Sequence, residues 1–392
     1  MDPFAYPFSE PRRFEPVASQ FVEITSELTH MRGSGPIMSI TLTNRISIRA
    51  HTRHTYRARL PVWADFVRRQ GRLQLSYHPA WLSVLEHGLR HEPYVLEAVE
   101  GRELRGILPL AFVQSRLFGR FLVSLPYLNY GGIVTDCEET AGHLVDRAIE
   151  LAERLDTRTL ELRQEYDLDH SGFITWQGKK VHMRLALPDT VAKLWKQLNS
   201  KVRNQIRKGE KAELKVVWGG EILLDEFYAV FSRNMRDLGT PVYGRGLFRA
   251  ALEQFPERAE ICVIRLGKKP IAAALLTHGW GITEVPSASS LREYNSTCAN
   301  MLMYWNLLLR AIERGQQSFD FGRSSPDSPT YKFKEQWGAK PAPAVWHYYM
   351  RTGDISDMRP DNPRNQRMIK IWKRLPVPLT RVIGPPIVRG IP

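Results

Sequence analysis

The chain has 392 residues, of which 43% are hydrophobic and 24% charged, an ordinary composition for a globular protein large enough to bury two cores. Its three cysteines, Cys137, Cys262 and Cys298, are far apart and lack zinc-ligand spacing, which argues against a disulfide scaffold or a metal site. Because no apolar run approaches about 18 residues, we expect no membrane-spanning helix and a cytoplasmic protein.

The formal net charge of +14 is concentrated in three basic segments. These segments are residues 31–72, 201–215 and 351–392. Concentrated positive charge is typical of a surface that contacts a polyanion, such as tRNA, a nucleotide-bearing cofactor or anionic lipid. A solvated basic surface without a ligand is the alternative for each segment.

The N-terminal part of the chain predicts an extension followed by a first domain. Residues 1–37 are rich in Pro, Glu and Ser without a sustained period, so we expect them outside the fold, and Met38 could be the real start. A first domain is predicted over residues 38–186. Its clearest elements are strands at 94–99 and 104–112, a helix at 139–155 and a strand at 159–163.

The same order of elements returns in a second predicted domain, over residues 187–350. It begins with a linking segment whose second helix, from Ser200, is strongly basic. Strands are then predicted at 261–266, 271–279 and 282–290, a helix at 300–313, and strands at 318–321 and 345–350. We therefore expect an α/β fold made of two copies of one mixed α/β unit.

Residues 351–392 form a basic C-terminal tail. Within it, residues 364–375 place four apolar side chains on one helical face and basic residues on the other, the apolar ones being Met368, Ile371, Trp372 and Leu375. This pattern predicts either packing against the body of the protein or contact with an anionic membrane surface. In the second case the protein would be peripheral at the inner face of the membrane.

Residues 318–340 carry the pattern richest in groups for acyl transfer. A short strand ends at Asp320, a Gly322–Arg323 turn follows, and a Pro/Ser loop leads to Tyr331 and Lys334. Backbone amides at such a turn, with Arg and Lys nearby, can stabilise a developing oxyanion. Asp320 and Arg323 could orient an acceptor amine, while a basic solvated loop that closes a sheet is the alternative.

A second candidate loop contains Thr240, Tyr243 and Arg245 between a proline and two glycines. Functional groups favour such loops, so we expect these three side chains to bind substrate. The chain has no GxSxG elbow and no glycine-rich phosphate loop. Serine hydrolysis, nucleotide hydrolysis and hydride transfer therefore lack motif support.

Three runs together resemble FemAB-like proteins, and more narrowly the FemAB-type members found with exosortase/PEP-CTERM exopolysaccharide systems. The first two are LNSKVRNQIRK at residues 198–208 and LGTPVYGRGLF at 238–248. The third extends from FDFGRS at 319–324 to YKFKEQWGA at 331–339. The likeness implies two tandem GNAT-like domains with mixed, mostly antiparallel sheets, the second of the BioF2-like acetyltransferase kind.

The resemblance also implies a function. The protein would be an N-acyltransferase that moves an acyl or aminoacyl group from acyl-CoA or aminoacyl-tRNA to an amine of a cell-envelope or polysaccharide precursor, without a tightly bound cofactor. Lys334, with Phe333, matches the family position that stabilises the charged intermediate, and Tyr331 would relay a proton or contact substrate. The chain lacks the long helical arm of the peptidoglycan-bridge enzymes, which leaves the donor open.

The donor's phosphates would meet four basic residues of the helix that starts at Ser200, namely Lys201, Arg203, Arg207 and Lys208. Two other classes of function stay open: a non-catalytic scaffold of an exosortase-associated complex, and a polyanion-binding module. An open cleft lined by Tyr243, Asp320, Tyr331 and Lys334 would favour an enzyme, and a filled one the scaffold.

Overall fold

The computed structural model describes residues 46–353 and 363–391. The predictions for residues 1–37 and for Met38 lie outside this part of the chain. The described strands are β1 (Ile46–Thr52), β2 (Glu92–Glu100), β3 (Glu103–Ser115), β4 (Gly119–Val123), β5 (Val134–Thr135), β6 (Thr159–Gln164), β7 (Ile174–Trp176), β8 (Val181–Ala186), β9 (Leu214–Gly219), β10 (Ala259–Leu266), β11 (Lys269–His278), β12 (Ile282–Ser290), β13 (Ser318–Ser324), β14 (Lys340–Pro343) and β15 (Val345–Met350).

Helices pack against the sheets that these strands form. They are α1 (Leu60–Arg69), α2 (Trp81–Leu89), α3 (Glu138–Arg154), α4 (Val191–Gln197), α5 (Ser200–Glu210), α6 (Leu224–Leu238), α7 (Arg245–Gln254), α8 (Ala299–Glu313), α9 (Pro329–Glu335), α10 (Pro363–Trp372) and α11 (Val377–Val388). Within the described residues, no helix is both long enough and apolar enough to span a lipid bilayer.

The strands form two mixed sheets. The first has the order β1-β2-β3-β4-β6-β15-β7, with β5 beside β3, and the second has the order β14-β8-β13-β12-β11-β10-β9. In the described residues each sheet contains one parallel pair, β4–β6 in the first and β12–β13 in the second, and the other pairs are antiparallel. The predicted α/β fold class with mostly antiparallel mixed sheets is confirmed.

The two sheets exchange strands across the predicted domain boundary. Strand β8 lies before residue 187, yet it pairs with β13 and β14 of the second sheet. Strand β15 lies in the predicted second domain, yet it pairs with β6 and β7 of the first sheet. Each sheet therefore contains a strand from the other side of the predicted boundary at residues 186 and 187. Strand β15 lies beside the parallel pair β4–β6, and β8 lies beside the parallel pair β12–β13.

The segments before and after residue 187, called here the first and second halves, also share a hydrophobic core. One cluster of buried residues includes Trp63 and Leu82 from the first half and Phe227 and Leu247 from the second. Helix α2 packs directly on α7, and a Cβ atom built on Gly88 of α2 would lie 2.6 Å from the Leu247 Cα. Glycine at this position allows the two helix backbones to approach closely.

The C-terminal helices pack onto the body of the protein and join the two halves. Helix α11 contacts α6, where the Arg381 guanidinium donates to the Ser232 hydroxyl at 2.8 Å, and the chain after it reaches Tyr127 of the first half. The predicted apolar face of the tail is divided, since Trp372 is 8% exposed while Met368 and Ile371 are 63% and 58% exposed.

Candidate active site

Strands β12 and β13 diverge inside the second sheet. They pair in parallel only over residues 282–284 and 318–320, although both strands continue further. Against their other neighbours, both strands also change register at this place. Pro286 has no N–H to donate and Gly322 has a φ of 76°, so neither residue continues a regular ladder. Glu284 and Asp320 therefore mark the point at which the sheet opens.

Asp320 holds the turn that follows β13. Its carboxylate is 1% exposed and accepts hydrogen bonds from the Tyr130 hydroxyl, the Gly322 N–H at 2.6 Å and the Arg184 Nε at 3.3 Å. Three donors compensate for the burial of this carboxylate. Asp320 therefore fixes the left-handed backbone at Gly322.

Arg184 on β8 connects the two halves of the molecule at this point. Besides Asp320, its guanidinium donates to Glu165, which follows β6, and it lies 5.1 Å from the centroid of the Tyr130 ring. Glu165 in turn accepts a hydrogen bond from the Tyr77 hydroxyl at 3.2 Å. Side chains from segments of both sheets thus form one polar cluster around Asp320. Its members described so far are Tyr77, Tyr130, Glu165, Arg184 and Asp320.

Glu284 is buried beside Asp320. The Ser76 backbone N–H donates to its Oε2 at 2.9 Å, and the Ser76 hydroxyl donates to its Oε1. Burial raises the pKa of Glu284 to about 7, and the negative charge of Asp320 acts in the same direction. Near neutral pH this carboxyl is therefore protonated in a large fraction of molecules.

Lys334 points from α9 into the same cluster. Residues 329–335 form a helix that begins within the predicted Pro/Ser loop, and the Ser328 hydroxyl caps it by accepting from the Tyr331 N–H. Lys334 is 7% exposed, and its ammonium donates to the Gly322 and Arg323 carbonyls, both at 2.9 Å. Burial lowers the pKa of Lys334 to about 8, although the Asp320 carboxylate opposes this shift. One ammonium hydrogen is left for a further acceptor.

Arg323 lies on the other side of the turn. Its Nε donates to the Asn129 Oδ1 at 3.0 Å, and its guanidinium carbon is 4.2 Å from the centroid of the Trp346 ring. Arg163 lies against the same ring at 4.7 Å. Because Trp346 belongs to β15, the exchanged strand supports the arginine side of the cluster.

His182 is a buried histidine of β8 within this cluster. Its ring stacks on Tyr130 with centroids 4.1 Å apart, and neither ring nitrogen has a hydrogen-bond partner among the described residues. Burial, followed by the positive charges of Arg184, Arg323 and Lys334, holds the pKa of His182 well below its usual range. The imidazole is therefore neutral near pH 7.

The structure brings some of the predicted site residues together. Asp320, Arg323 and Lys334 meet at the Gly322 turn, as described above. Tyr243 packs edge-to-face on Tyr127 at 5.3 Å, and burial raises its pKa while Arg163 and Arg323 oppose the shift.

Two further predicted residues, on α9, lie beside an aromatic cluster of the second half. Phe333 packs on Tyr304 at 5.0 Å, and Tyr304 stacks on Phe321 at 5.6 Å. Tyr331 is half-buried against the same core. These residues border the diverging strand β13.

Two members of the loop before α7 have other surroundings. Thr240 is exposed in the turn after α6, and Arg245 forms an ion pair with Asp225 at 2.6 Å. Their described contacts do not include Asp320 or Lys334, so a role in the same site has no geometric support.

The predicted donor-binding helix is α5. Lys201, Arg207 and Lys208 are exposed, whereas Arg203 is half-buried. Asn199 caps this helix and donates its amide to the Gln336 carbonyl at 3.1 Å, at the end of α9. The basic helix therefore begins beside the helix that carries Lys334.

Several cluster members were missed in the sequence. The chief ones are Tyr130, Glu165, His182, Arg184 and Glu284. Polar residues inside otherwise apolar strands were the available signal, as in VHMRLA at β8 and ITEV at the start of β12. That signal shows that a polar residue needs a partner but does not identify the partner.

Comparisons with known proteins agree with this architecture. A family model described as an acetyltransferase (GNAT) domain matches residues 196–335, which include α5 and Lys334. No curated protein sequence matches the chain. Among solved structures, that of FemX is similar with a TM-score of 0.58 and 14% identity, covering 80% of this chain and 98% of FemX.

Two further solved structures are similar over comparable lengths. One is a tandem GNAT protein from the clavulanic acid biosynthesis pathway, with a TM-score of 0.52, 13% identity and coverage of 79% of this chain and 100% of that one. The other is a protein of unknown function from Bacteroides thetaiotaomicron, with a TM-score of 0.50, 10% identity and coverage of 77% and 100%. The protein therefore has a FemAB-like tandem GNAT fold.

Proposed function

We propose that the protein is an N-acyltransferase that transfers an acyl or aminoacyl group from an activated donor to an amine. The observation that carries the proposal is the position of Lys334. Its ammonium is fixed on two carbonyls of the Gly322 turn, where β12 and β13 separate, inside the segment that matches a GNAT acetyltransferase domain. A fixed cation is suited to a charge that develops only in the transition state.

The roles that we assign follow from the contacts. Lys334 would donate its remaining N–H to the oxyanion as the amine attacks the acyl carbonyl. Asp320 would act as a positioning residue, since its carboxylate is already engaged by three donors and holds the turn that orients Lys334. Tyr331, Phe333 and Tyr243 would line the substrate path, with Arg323 fixed beside them.

The donor would be acyl-CoA or aminoacyl-tRNA, and its phosphates would contact α5 through Lys201, Arg203, Arg207 and Lys208. The acceptor would be an amine of a cell-envelope or exopolysaccharide precursor, in a system of the exosortase/PEP-CTERM type. The exposed Met368 and Ile371 on basic helix α10 support a peripheral contact with an anionic membrane at its inner face. The resemblance in sequence supports the acceptor, and the GNAT match supports the donor class.

Single-turnover transfer tests the proposal. The protein is incubated separately with labelled acetyl-CoA and with labelled aminoacyl-tRNA in the presence of amines, and small molecules that copurify are identified by mass spectrometry. We expect acylated amine from one donor, loss of product in Lys334→Ala, and normal product in Lys332→Ala, which removes an exposed lysine from the same helix.

The scaffold alternative has one observation in its favour. Asp320 and Lys334 are almost completely buried, so the cluster is closed around them, while Tyr243 and Tyr331 are only partly buried. A scaffold would give no acylated amine with either donor and would bind its partner equally well with Lys334→Ala. Product formation that depends on Lys334 excludes this alternative.

A further inference from the structure

A second feature of the molecule lies outside the cluster around Lys334. A cavity of about 680 Å³ opens where the turn after β1, the end of α2, the strands β2 and β3 and the end of α11 meet. The side chains relevant to its chemistry are Arg53, Arg57, Arg90, Arg389, His91 and Gln114. Its volume is within the range of about 300 to 1,000 Å³ that is usual for small-molecule sites.

The arginines give this cavity an excess of positive charge. Arg57 is paired with Glu86 at 2.9 Å, but Arg53, Arg90 and Arg389 have no acidic partner among the described residues. The remaining acid, Glu92, accepts a hydrogen bond from the Tyr94 hydroxyl at 3.0 Å. Arg53, Arg90 and Arg389 are exposed, and four arginines against two glutamates leave a formal charge of +2 around the cavity, which favours binding of an anion.

The backbone at Arg90 supports a role for its side chain. Arg90 ends α2 in the left-handed conformation, with a φ of 58°. Glycine is the usual residue at this position, because any Cβ atom is strained there. An arginine therefore occupies a position that favours glycine, and its side chain lines the cavity together with two other arginines that have no acidic partner among the described residues.

We propose that this cavity binds a small molecule bearing a pyrophosphate group, held by Arg53, Arg90 and Arg389. Guanidinium groups bind phosphate oxygens through paired N–H donors, and three of them can surround two linked phosphates. The Gln114 amide and the Phe112 ring are available for the uncharged part of the ligand. The concave shape favours a compact ligand over an extended nucleic-acid strand, which is bound along a groove.

The cavity is connected to the candidate active site by aromatic contacts. The His91 ring stacks on Tyr127 at 5.7 Å and its Nε2 is 3.0 Å from the Tyr127 hydroxyl. That hydroxyl also donates to the Arg389 carbonyl at 3.1 Å, and the Tyr127 ring packs on Tyr243 at 5.3 Å. The rings of His91 and Tyr127 therefore link the cavity to Tyr243 by direct contacts. The proposed pyrophosphate site does not depend on the proposed acyl transfer.

Isothermal titration of the full chain with inorganic pyrophosphate tests this proposal. We expect saturable binding that Arg53→Gln, Arg90→Gln and Arg389→Gln each weaken by about tenfold, because each removes one charge-assisted contact. Arg292→Gln, which removes an exposed arginine of the second half, should leave the affinity unchanged. Thermal melting of each variant checks that it is folded. If Arg90→Gln unfolds, Arg53→Gln still tests the proposal, because Arg53 lies in an exposed turn.

Two results would overturn the proposal. One is pyrophosphate binding that is absent, or equal in wild type and in the folded arginine variants. The other is a single-stranded RNA oligonucleotide that binds through the same arginines and is not displaced by pyrophosphate, which would assign the cavity to nucleic acid. Competition by pyrophosphate against the oligonucleotide supports the small-molecule site. The assay contains no acyl donor, so its outcome is independent of the proposed transferase reaction.

Discussion

Glu284 and Asp320 occupy directly opposite positions in the parallel pair β12–β13, and they form its last paired position before the strands diverge. Burial and the nearby negative charge of Asp320 both raise the pKa of Glu284, because a second negative charge is costly in a medium of low polarity. Glu284 has only neutral donors from Ser76, whereas Asp320 also accepts from Arg184.

This pair makes stability depend on pH in a direction opposite to most carboxylates. The pKa of Glu284 is about 7 in the folded protein, against an ordinary value of 4.5. Between these two values the unfolded chain loses the proton first, so the free energy of unfolding falls as pH rises and is constant above pH 7. The contribution of this group is up to about 3 kcal/mol, at about 1.4 kcal/mol per pKa unit.

Urea denaturation across this pH range, with Glu284→Gln as the comparison, measures the effect. The amide keeps the shape and can still accept from Ser76, but it does not titrate. The difference in unfolding free energy between wild type and Glu284→Gln should therefore change with pH. A constant difference from pH 4.5 to 7 would show that folding does not raise the pKa of Glu284.

Lys334 should control the pH dependence of acyl transfer. Its pKa is about 8, so the ammonium that donates to the oxyanion is lost as pH rises above this value. Lys334→Ala should lower the single-turnover rate by about 10² to 10³, or roughly 3 to 4 kcal/mol, with little change in donor affinity. Lys334→Arg should restore part of the transfer rate, because its wide guanidinium fits the Gly322 and Arg323 carbonyls poorly. Its rate should not fall near pH 8, because a guanidinium keeps its proton at this pH.

The control for this experiment is Lys332→Ala, whose rate should show the wild-type inflection near pH 8. If Lys334→Ala transfers acyl groups at the wild-type rate with an unchanged melting temperature, the chemistry lies elsewhere in the cluster, and Tyr243 and Asp320 are the next residues to substitute.

Helix α5 should determine how donor binding responds to salt. Charge reversal at the exposed Lys201 and Lys208 should weaken donor binding and flatten its dependence on salt concentration, because each phosphate contact releases counterions. The wild-type slope should be steep for a tRNA donor and shallow for CoA, which carries few phosphates. Lys268→Glu, which reverses an exposed charge outside α5, is the control and should leave the salt dependence of donor binding unchanged. If the α5 variants also show the wild-type salt dependence, α5 is not part of the donor site.

The Tyr130 hydroxyl should contribute to stability through Asp320. Tyr130→Phe removes one of three donors from a carboxylate that is 1% exposed, and we expect a loss of about 1 to 3 kcal/mol in unfolding free energy. Tyr94→Phe removes a hydroxyl bonded to the more accessible Glu92 and should cost less than about 0.5 kcal/mol. Equal losses in the two variants, measured by denaturant titration, would contradict the assignment.

Two glycines in helices should respond in opposite directions to alanine. In Gly88→Ala the new Cβ would lie 2.6 Å from the Leu247 Cα, which is backbone and cannot rotate away, so α2 and α7 must separate and stability falls. In Gly142→Ala on α3 no atom lies within 4 Å of the new Cβ, and the higher helix propensity should stabilise by up to about 1 kcal/mol. The melting temperatures should shift in opposite directions, and a rise for Gly88→Ala would show that the interface yields.

Periodicity was sufficient to predict elements whose core face is defined within the element itself. The helix at α3 and the strands β2, β3, β10, β11 and β12 are predicted within a few residues, because each has an apolar pattern or a tight turn of its own. Helix α9 was not predicted, because its seven residues are too few for an apolar periodicity to be evident. The available signal was local, since Ser328 caps the helix and Pro329 occupies its first turn.

The grouping of candidate site residues was predictable only where they are close in sequence. Asp320, Arg323 and Lys334 lie within one short segment, and they meet in the structure. Tyr130 and Arg184 reach Asp320 only because strand exchange brings β8 beside β13 and the loop after β4 beside both. Pairing between distant strands has no signature in a single sequence, so this half of the cluster could not be predicted.

Strand exchange has a consequence for synthesis of the protein on the ribosome. Strand β6 is complete at Gln164, but its neighbour β15 begins only at Val345. At about 5 to 20 residues per second, the intervening chain takes roughly 10 to 40 s to emerge. During this interval one edge of β6 lacks its native partner, and free backbone groups at a strand edge can pair with another chain. The first sheet therefore cannot be completed at this edge until β15 has been synthesised.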